Sequence, residues 1–231
     1  MFHLSSSNRL TVLVFAVSFP LVSAGCSKTS DVSNNPSLSA QEDAQKTLQQ
    51  VQCNKVWEKA SAAYEEWEKN PDPKHFTALL QALPKKRPPS GSSLCSNQES
   101  VMRGLGQGLD GLLKKSPGVH DFMVLLARLQ PFSDGGIAEG ICAQGPKLLD
   151  KDPRGFVQAL HEEKEMLVDQ NCLVLSARDL VDRPLKERSQ AYQKRIAQLE
   201  KVKDENLQTT RQELTAALKQ KIDTLKKKRK E

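Results

Sequence analysis

From residue 37 to the C-terminus, apolar side chains recur three and four positions apart. No stretch shows the period-two alternation of a half-buried strand, so the pattern predicts an all-α chain. The first helix is expected to open at Ser39-Ala-Gln-Glu42, where a serine followed three residues later by glutamate caps free N–H groups. Its apolar stripe holds Cys53, Val56, Trp57, Ala60, Tyr64 and Trp67. Asn70-Pro71-Asp72-Pro73 stops it, because a residue before proline is driven out of the helical region. A short helix follows with Phe76, Leu79, Leu80 and Leu83 inward, and residues 84–93 are a loop by composition. Ser96-Asn-Gln-Glu99 predicts a second capping box and a helix through Lys115. Ser116-Pro117 starts the next, with Val119, Phe122, Met123 and Leu126 inward. Residues 131–136 break the chain, and helices are expected over 137–150 and 153–182, the second interrupted near Asn171. Pro184 opens a last helix that meets no further Pro or Gly.

The N-terminal pattern is different. One basic residue, Arg9, precedes an apolar run over residues 10–22, and no acid occurs before residue 31. The run is too short for a membrane span, which needs about 20 apolar residues, and has the form of a signal-peptide core. It ends in Val22-Ser23-Ala24-Gly25-Cys26. This resembles the lipobox of bacterial lipoproteins, with Ser23 where that family most often has leucine. The resemblance implies cleavage before Cys26, lipid (palmitate included) on that cysteine, and attachment to a membrane through it. Ser27, rather than an aspartate, follows Cys26; by resemblance to enterobacterial sorting this implies the outer membrane, facing the periplasm. The alternative is ordinary cleavage after Ala24, which releases a soluble protein. Residues 27–40 are Ser- and Asn-rich without periodicity and read as a tether.

The organisation is then a signal peptide (1–25), a lipidated tether (26–40), an all-helical domain (41–183) and a long basic helix (184–231). Within the domain, Asp72-Pro73-x-x-Phe76 with Ala78-Leu79 echoes Asp152-Pro153-x-x-Phe156 with Ala159-Leu160; Pro117 with Phe122 is a looser third copy. Each clear copy lies between two cysteines. If Cys26 is lipidated, four cysteines remain, and four allow three pairings. Pairing within each echo predicts Cys53–Cys95 and Cys142–Cys172. The expected fold is a disulfide-pinned array of helix hairpins, solenoid-like with some resemblance to HEAT-type repeats, or an irregular bundle. An accidental echo remains the alternative, since Asp-Pro is a good helix start anywhere.

Charge singles out the last segment. Residues 184–231 hold 14 bases against 7 acids, more than the whole chain's net +6, and are densest at Lys226, Lys227, Lys228, Arg229 and Lys230. Leu185, Ile196, Leu207 and Leu218 recur every eleven positions, as do Tyr192, Leu214 and Leu225 with Lys203 in register. That period suits a nearly straight helix roughly 70 Å long, packed along the domain or self-associated as a coiled coil in a homo-oligomer. The expectation is that this helix carries an interaction rather than the fold. Its five terminal bases suit anionic envelope material or a protein partner, and an exported chain is not expected to meet nucleic acid.

Motifs of catalytic form are weak. Gly106-Gln-Gly108-Leu-Asp-Gly111 matches a dinucleotide fingerprint but sits inside a predicted helix without a preceding strand. Gly104, Gly108 and Gly111 share a face, which suits close helix packing; a mobile, glycine-softened helix is the alternative. His161-Glu162-Glu163-Lys164-Glu165 has Glu where a zincin has its second His. No catalytic, cofactor-binding or metal-binding residues and no cofactor are assigned. The reading is a membrane-anchored, non-enzymatic binding or scaffold lipoprotein; the alternative is a cell-wall-active hydrolase without a recognisable motif.

Overall fold

A computed structural model describes residues 36–87, 95–176 and 180–228, with side chains described from residue 43. The signal segment 1–25, Cys26, the tether up to residue 35, part of the loop at 84–93, and Arg229 and Lys230 lie outside these residues. The described chain is helical: α1 (Pro36–Lys69), α2 (Pro73–Ala82), α3 (Gln98–Gln107), α4 (Leu109–Lys115), α5 (Val119–Leu129), α6 (Gly135–Lys151), α7 (Pro153–Glu162), α8 (Gln170–Leu175), α9 (Leu185–Leu199) and α10 (Gln208–Lys228). No strand occurs among the described residues.

Helix α5 is the centre. Val119, Phe122, Met123 and Leu126 are buried as expected, but so are Val124, Leu125 and Ala127 on its other sides. A helix apolar all round must be enclosed, and α2, α4, α6 and α7 pack around it. Of the two forms the pattern left open, this is the irregular bundle, because a solenoid leaves one face of each helix to solvent or ligand. Helix α1 closes one side against α2 and α3; Trp67 lies edge-on to Phe76 of α2 at 6.1 Å, and Trp57 edge-on to Phe132, in the turn after α5, at 5.1 Å.

Both clear copies of the echo have one geometry. Asp72 accepts a hydrogen bond from the His75 N–H, and Asp152 accepts one from the Gly155 N–H. Proline is the first helical residue in each, where its missing donor costs nothing, and Phe76 and Phe156 are fully buried. At the looser copy, Gly118 precedes α5 without a side-chain cap. Both predicted disulfides are present: Cys53–Cys95 ties α1 to the start of α3 with Cα atoms 5.8 Å apart, and Cys142–Cys172 ties α6 to α8 at 5.3 Å.

Several local expectations are corrected. The helix predicted from Ser96 begins with Asn97 as N-cap, in the left-handed region (φ 62°) and without a side-chain cap. The Ser96 N–H instead donates to Asn54 Oδ1 across the first disulfide. That helix also breaks at Gly108 into α3 and α4. Helix α1 starts at Pro36, ahead of Ser39, so its N-terminal part takes in the end of the expected tether. The predicted helix 153–182 reduces to α7 and α8, separated by a turn over 163–169.

The largest correction concerns the terminal segment, which is a hairpin rather than one long helix. Helix α9 ends with Glu200 and Val202 N–H groups bonded to Ile196 and Leu199 carbonyls. Asp204 then accepts from the Asn206 N–H and starts the return. The physical reason is burial. Each narrow stripe alone is too thin to stabilise a free helix, but folding back puts Tyr192 and Leu199 of α9 in one core with Leu214, Leu218, Ile222 and Leu225 of α10. Val202 and Leu207 are buried in the turn itself. Neither helix projects: α10 also packs on α7 and α8, and α9 on α6 and α7.

Candidate binding surfaces

Two concave surfaces are built by these elements. The first is an open groove of about 620 Å³ between α3 and the start of α6. Met102, Phe132 and Ile137 supply apolar lining, and Gln98, Glu99, Arg103, Gln107 and Asp134 supply polar groups. Glycine at 106 permits the approach of α6, since a Cβ there lies 3.0 Å from the Ile137 side chain. Gly104 similarly accepts the Tyr64 ring, so the glycine run serves packing at 104 and 106, whereas nothing packs at Gly111. The acids of the groove are engaged: Glu99 is ion-paired with Arg103, and Asp134 caps α6 at the Ile137 N–H.

The second surface is the open end of the terminal hairpin, where the start of α9 meets the end of α10. A notch of about 210 Å³ is lined there by Leu185, Lys186, Ser189, Gln190, Gln193, Leu225 and Lys226. The basic run predicted as an interaction element begins at this point. Lys226, Lys227 and Lys228 are exposed on the last turn of α10, while Arg229 and Lys230 lie outside the described residues.

Positions that pattern reading passed over tie the helices together. Arg195, an apparent surface base, is buried and donates to the Val174 and Ser176 carbonyls at 2.6 and 2.7 Å. It thereby satisfies acceptors left free at the end of α8, beside Tyr192, whose hydroxyl donates to the Leu175 carbonyl at 3.2 Å. Arg128 pairs with Glu163 and donates to the Leu80 carbonyl at 2.6 Å, joining α5 to the ends of α2 and α7. Buried Gln130 accepts from the Val168 and Asp169 N–H groups and donates to the Asp169 carbonyl. The available signal was position: Arg195 falls on the apolar stripe three residues after Tyr192.

The His-Glu sequence at 161–165 is divided between two contacts. His161 Nδ1 lies 3.1 Å from Thr210 Oγ1, and Glu162 meets His120 Nε2 at 2.8 Å. Among the described residues no group of three or more His, Cys, Asp or Glu side chains is disposed to hold a metal ion. Burial works against the charged form of His120, but the carboxylates of Asp121 and Glu162 more than offset it, so its pKa is raised. Burial likewise works against ionised Glu162, and Gln158, His120 and His161 outweigh it, so its pKa is lowered. The His120 contribution to stability is fully present below the ordinary imidazole value of about 6.5 and is lost as pH rises through the raised one. The Glu162 contribution is present above the ordinary carboxylate value and lost as pH falls through its lowered one. Thermal stability is therefore expected to decline from pH 6 to pH 9 and His120→Gln to flatten that decline. An NMR titration placing His120 below 6.5 contradicts this.

Comparison with known protein families, with curated proteins and with solved structures finds no match.

Proposed function

We propose that the chain is a bacterial envelope lipoprotein that acts by binding. It is exported, cleaved before Cys26, held at the outer membrane by lipid on that residue, and presents the basic end of its terminal hairpin to anionic envelope material. The observation that carries this reading is the disposition of the cysteines. Four of five close disulfides, which fits an oxidising compartment outside the cytoplasm. The fifth is Cys26, at the end of the lipobox-like sequence. Binding is favoured over hydrolysis because the two carboxylates of the larger groove are already committed, one to Arg103 and one to a helix cap.

The test is Cys26→Ser in cells. The variant is expected to accumulate as uncleaved precursor or to move from the membrane fraction to the soluble one. Mass spectrometry of the parent should show acylation at residue 26. A parent chain that is soluble and unmodified there ends the proposal.

A further inference from the structure

We propose that the notch at the open end of the terminal hairpin is a phosphate-binding site that seats the headgroup of an anionic phospholipid. This rests on the lipoprotein reading for the source of the phosphate, and on the geometry for the chemistry. Lys186, Ser189, Gln190 and Gln193 stand three, four and seven positions apart, so they share one face of α9. Lys226 of α10 closes the other wall, and Leu185 and Leu225 complete the lining. The residues lining this one small space thus carry two ammonium groups, one hydroxyl and two carboxamides. A phosphodiester, with several acceptor oxygens and one negative charge, matches that set. At about 210 Å³ the notch is below the usual range for drug-sized ligands, roughly 300–1,000 Å³, and is of headgroup scale.

The groups are also available. Lys186, Ser189, Gln190 and Gln193 have no hydrogen-bond or ion-pair partner among the described residues. Lys226 meets only Asp223 at 3.4 Å, an exposed pair with both side chains more than 60% accessible, which is worth little against a second anion. Glu187, next to Lys186 in the chain, faces Arg183 at 3.7 Å. Lys186 stands in the first turn of α9, where a positive charge opposes the helix dipole, and Pro184 provides no side-chain cap there. A bound anion relieves both conditions. Lys227 and Lys228, exposed on the same turn as Lys226, add attraction toward an anionic surface without lining the notch.

The test uses the mature chain carrying Cys26→Ser, so that the anchor does not mask surface binding. Vesicles of phosphatidylglycerol are compared with phosphatidylcholine, and soluble glycerol phosphate is titrated separately. The parent is expected to bind the anionic vesicles only, weakening with salt because exposed charges are screened. Lys186→Gln should weaken binding about fivefold, the effect of one basic residue at such a surface. The decisive variant changes no charge. Ser189→Ala with Gln193→Ala should weaken vesicle binding severalfold at unchanged melting temperature, since Gln193 is exposed, Ser189 is half-buried, and neither side chain bonds to another described residue. If that double variant binds like the parent while neutralising residues 226–230 abolishes binding, the notch is overturned and the basic run alone carries the proposed function. If the parent binds neither anionic vesicles nor glycerol phosphate, the notch proposal falls, while the anchoring reading stands or falls on acylation at Cys26. Binding of glycerol phosphate without binding of vesicles overturns the lipid headgroup as the source.

Discussion

Ending the chain after Asp182 is expected to abolish cooperative unfolding, because the terminal hairpin is a wall of the core. The segment removed contributes Tyr192, Leu199, Val202, Leu207, Leu214, Leu218, Ile222 and Leu225, all buried. Burying one large apolar side chain contributes roughly 1.5–3 kcal/mol, and total stabilities are about 5–15 kcal/mol, so the loss of this set is not survivable by increments elsewhere. The truncation also removes Arg195, leaving the Val174 and Ser176 carbonyls without their 2.6 and 2.7 Å donors. The truncated chain should show a broad thermal transition and weak near-ultraviolet circular dichroism. A sharp transition within a few degrees of the full chain would falsify the structural role and restore the reading in which the basic segment serves interaction alone.

The disulfides carry the second large effect. In the chain-entropy treatment, a link closing 30 residues stabilises by about 3.5 kcal/mol and one closing 42 by about 4 kcal/mol. For a chain of this size, each kcal/mol moves the melting temperature by about 2–4 °C. Cys142→Ser with Cys172→Ser should therefore lower it by roughly 7–14 °C, and full reduction of both bridges should leave a marginal fold at 37 °C. The second bridge sits at a tight seam. Buried Gly145, one turn along α6 from Cys142, faces the Leu173 backbone of α8 so closely that a Cβ there clashes with the carbonyl. Gln130 holds the entry to α8 from the other side, its amide 3.2 Å from Cys172 Sγ. Melting with and without reductant measures the shift, and nonreducing peptide mapping checks the pairing. A Cys95–Cys142 link defeats it.

What the amino-acid sequence determined by itself was local or periodic. Spacing of apolar residues at three and four specified an all-helical chain, and the prolines at 71, 73 and 153 placed helix boundaries. Asp72 and Asp152 could be read as caps because capping needs only a side chain three residues from an N–H. The cysteine pairs followed from the echo of those two turns. Tertiary structure decided the rest. Ser96 lost its predicted cap because its N–H found Asn54, 42 positions earlier, a partner no local rule weighs. The uninterrupted pattern after Pro184 was equally compatible with one long helix. It folds back near Asp204 because the stripes of α9 and α10 are each too narrow to bury alone, and helices α6, α7 and α8 offer the surface that completes them. That choice turned Arg195 from a surface charge into the buried donor at the end of α8. It also brought Lys186 and Lys226, 40 residues apart in the chain, to the two walls of one notch.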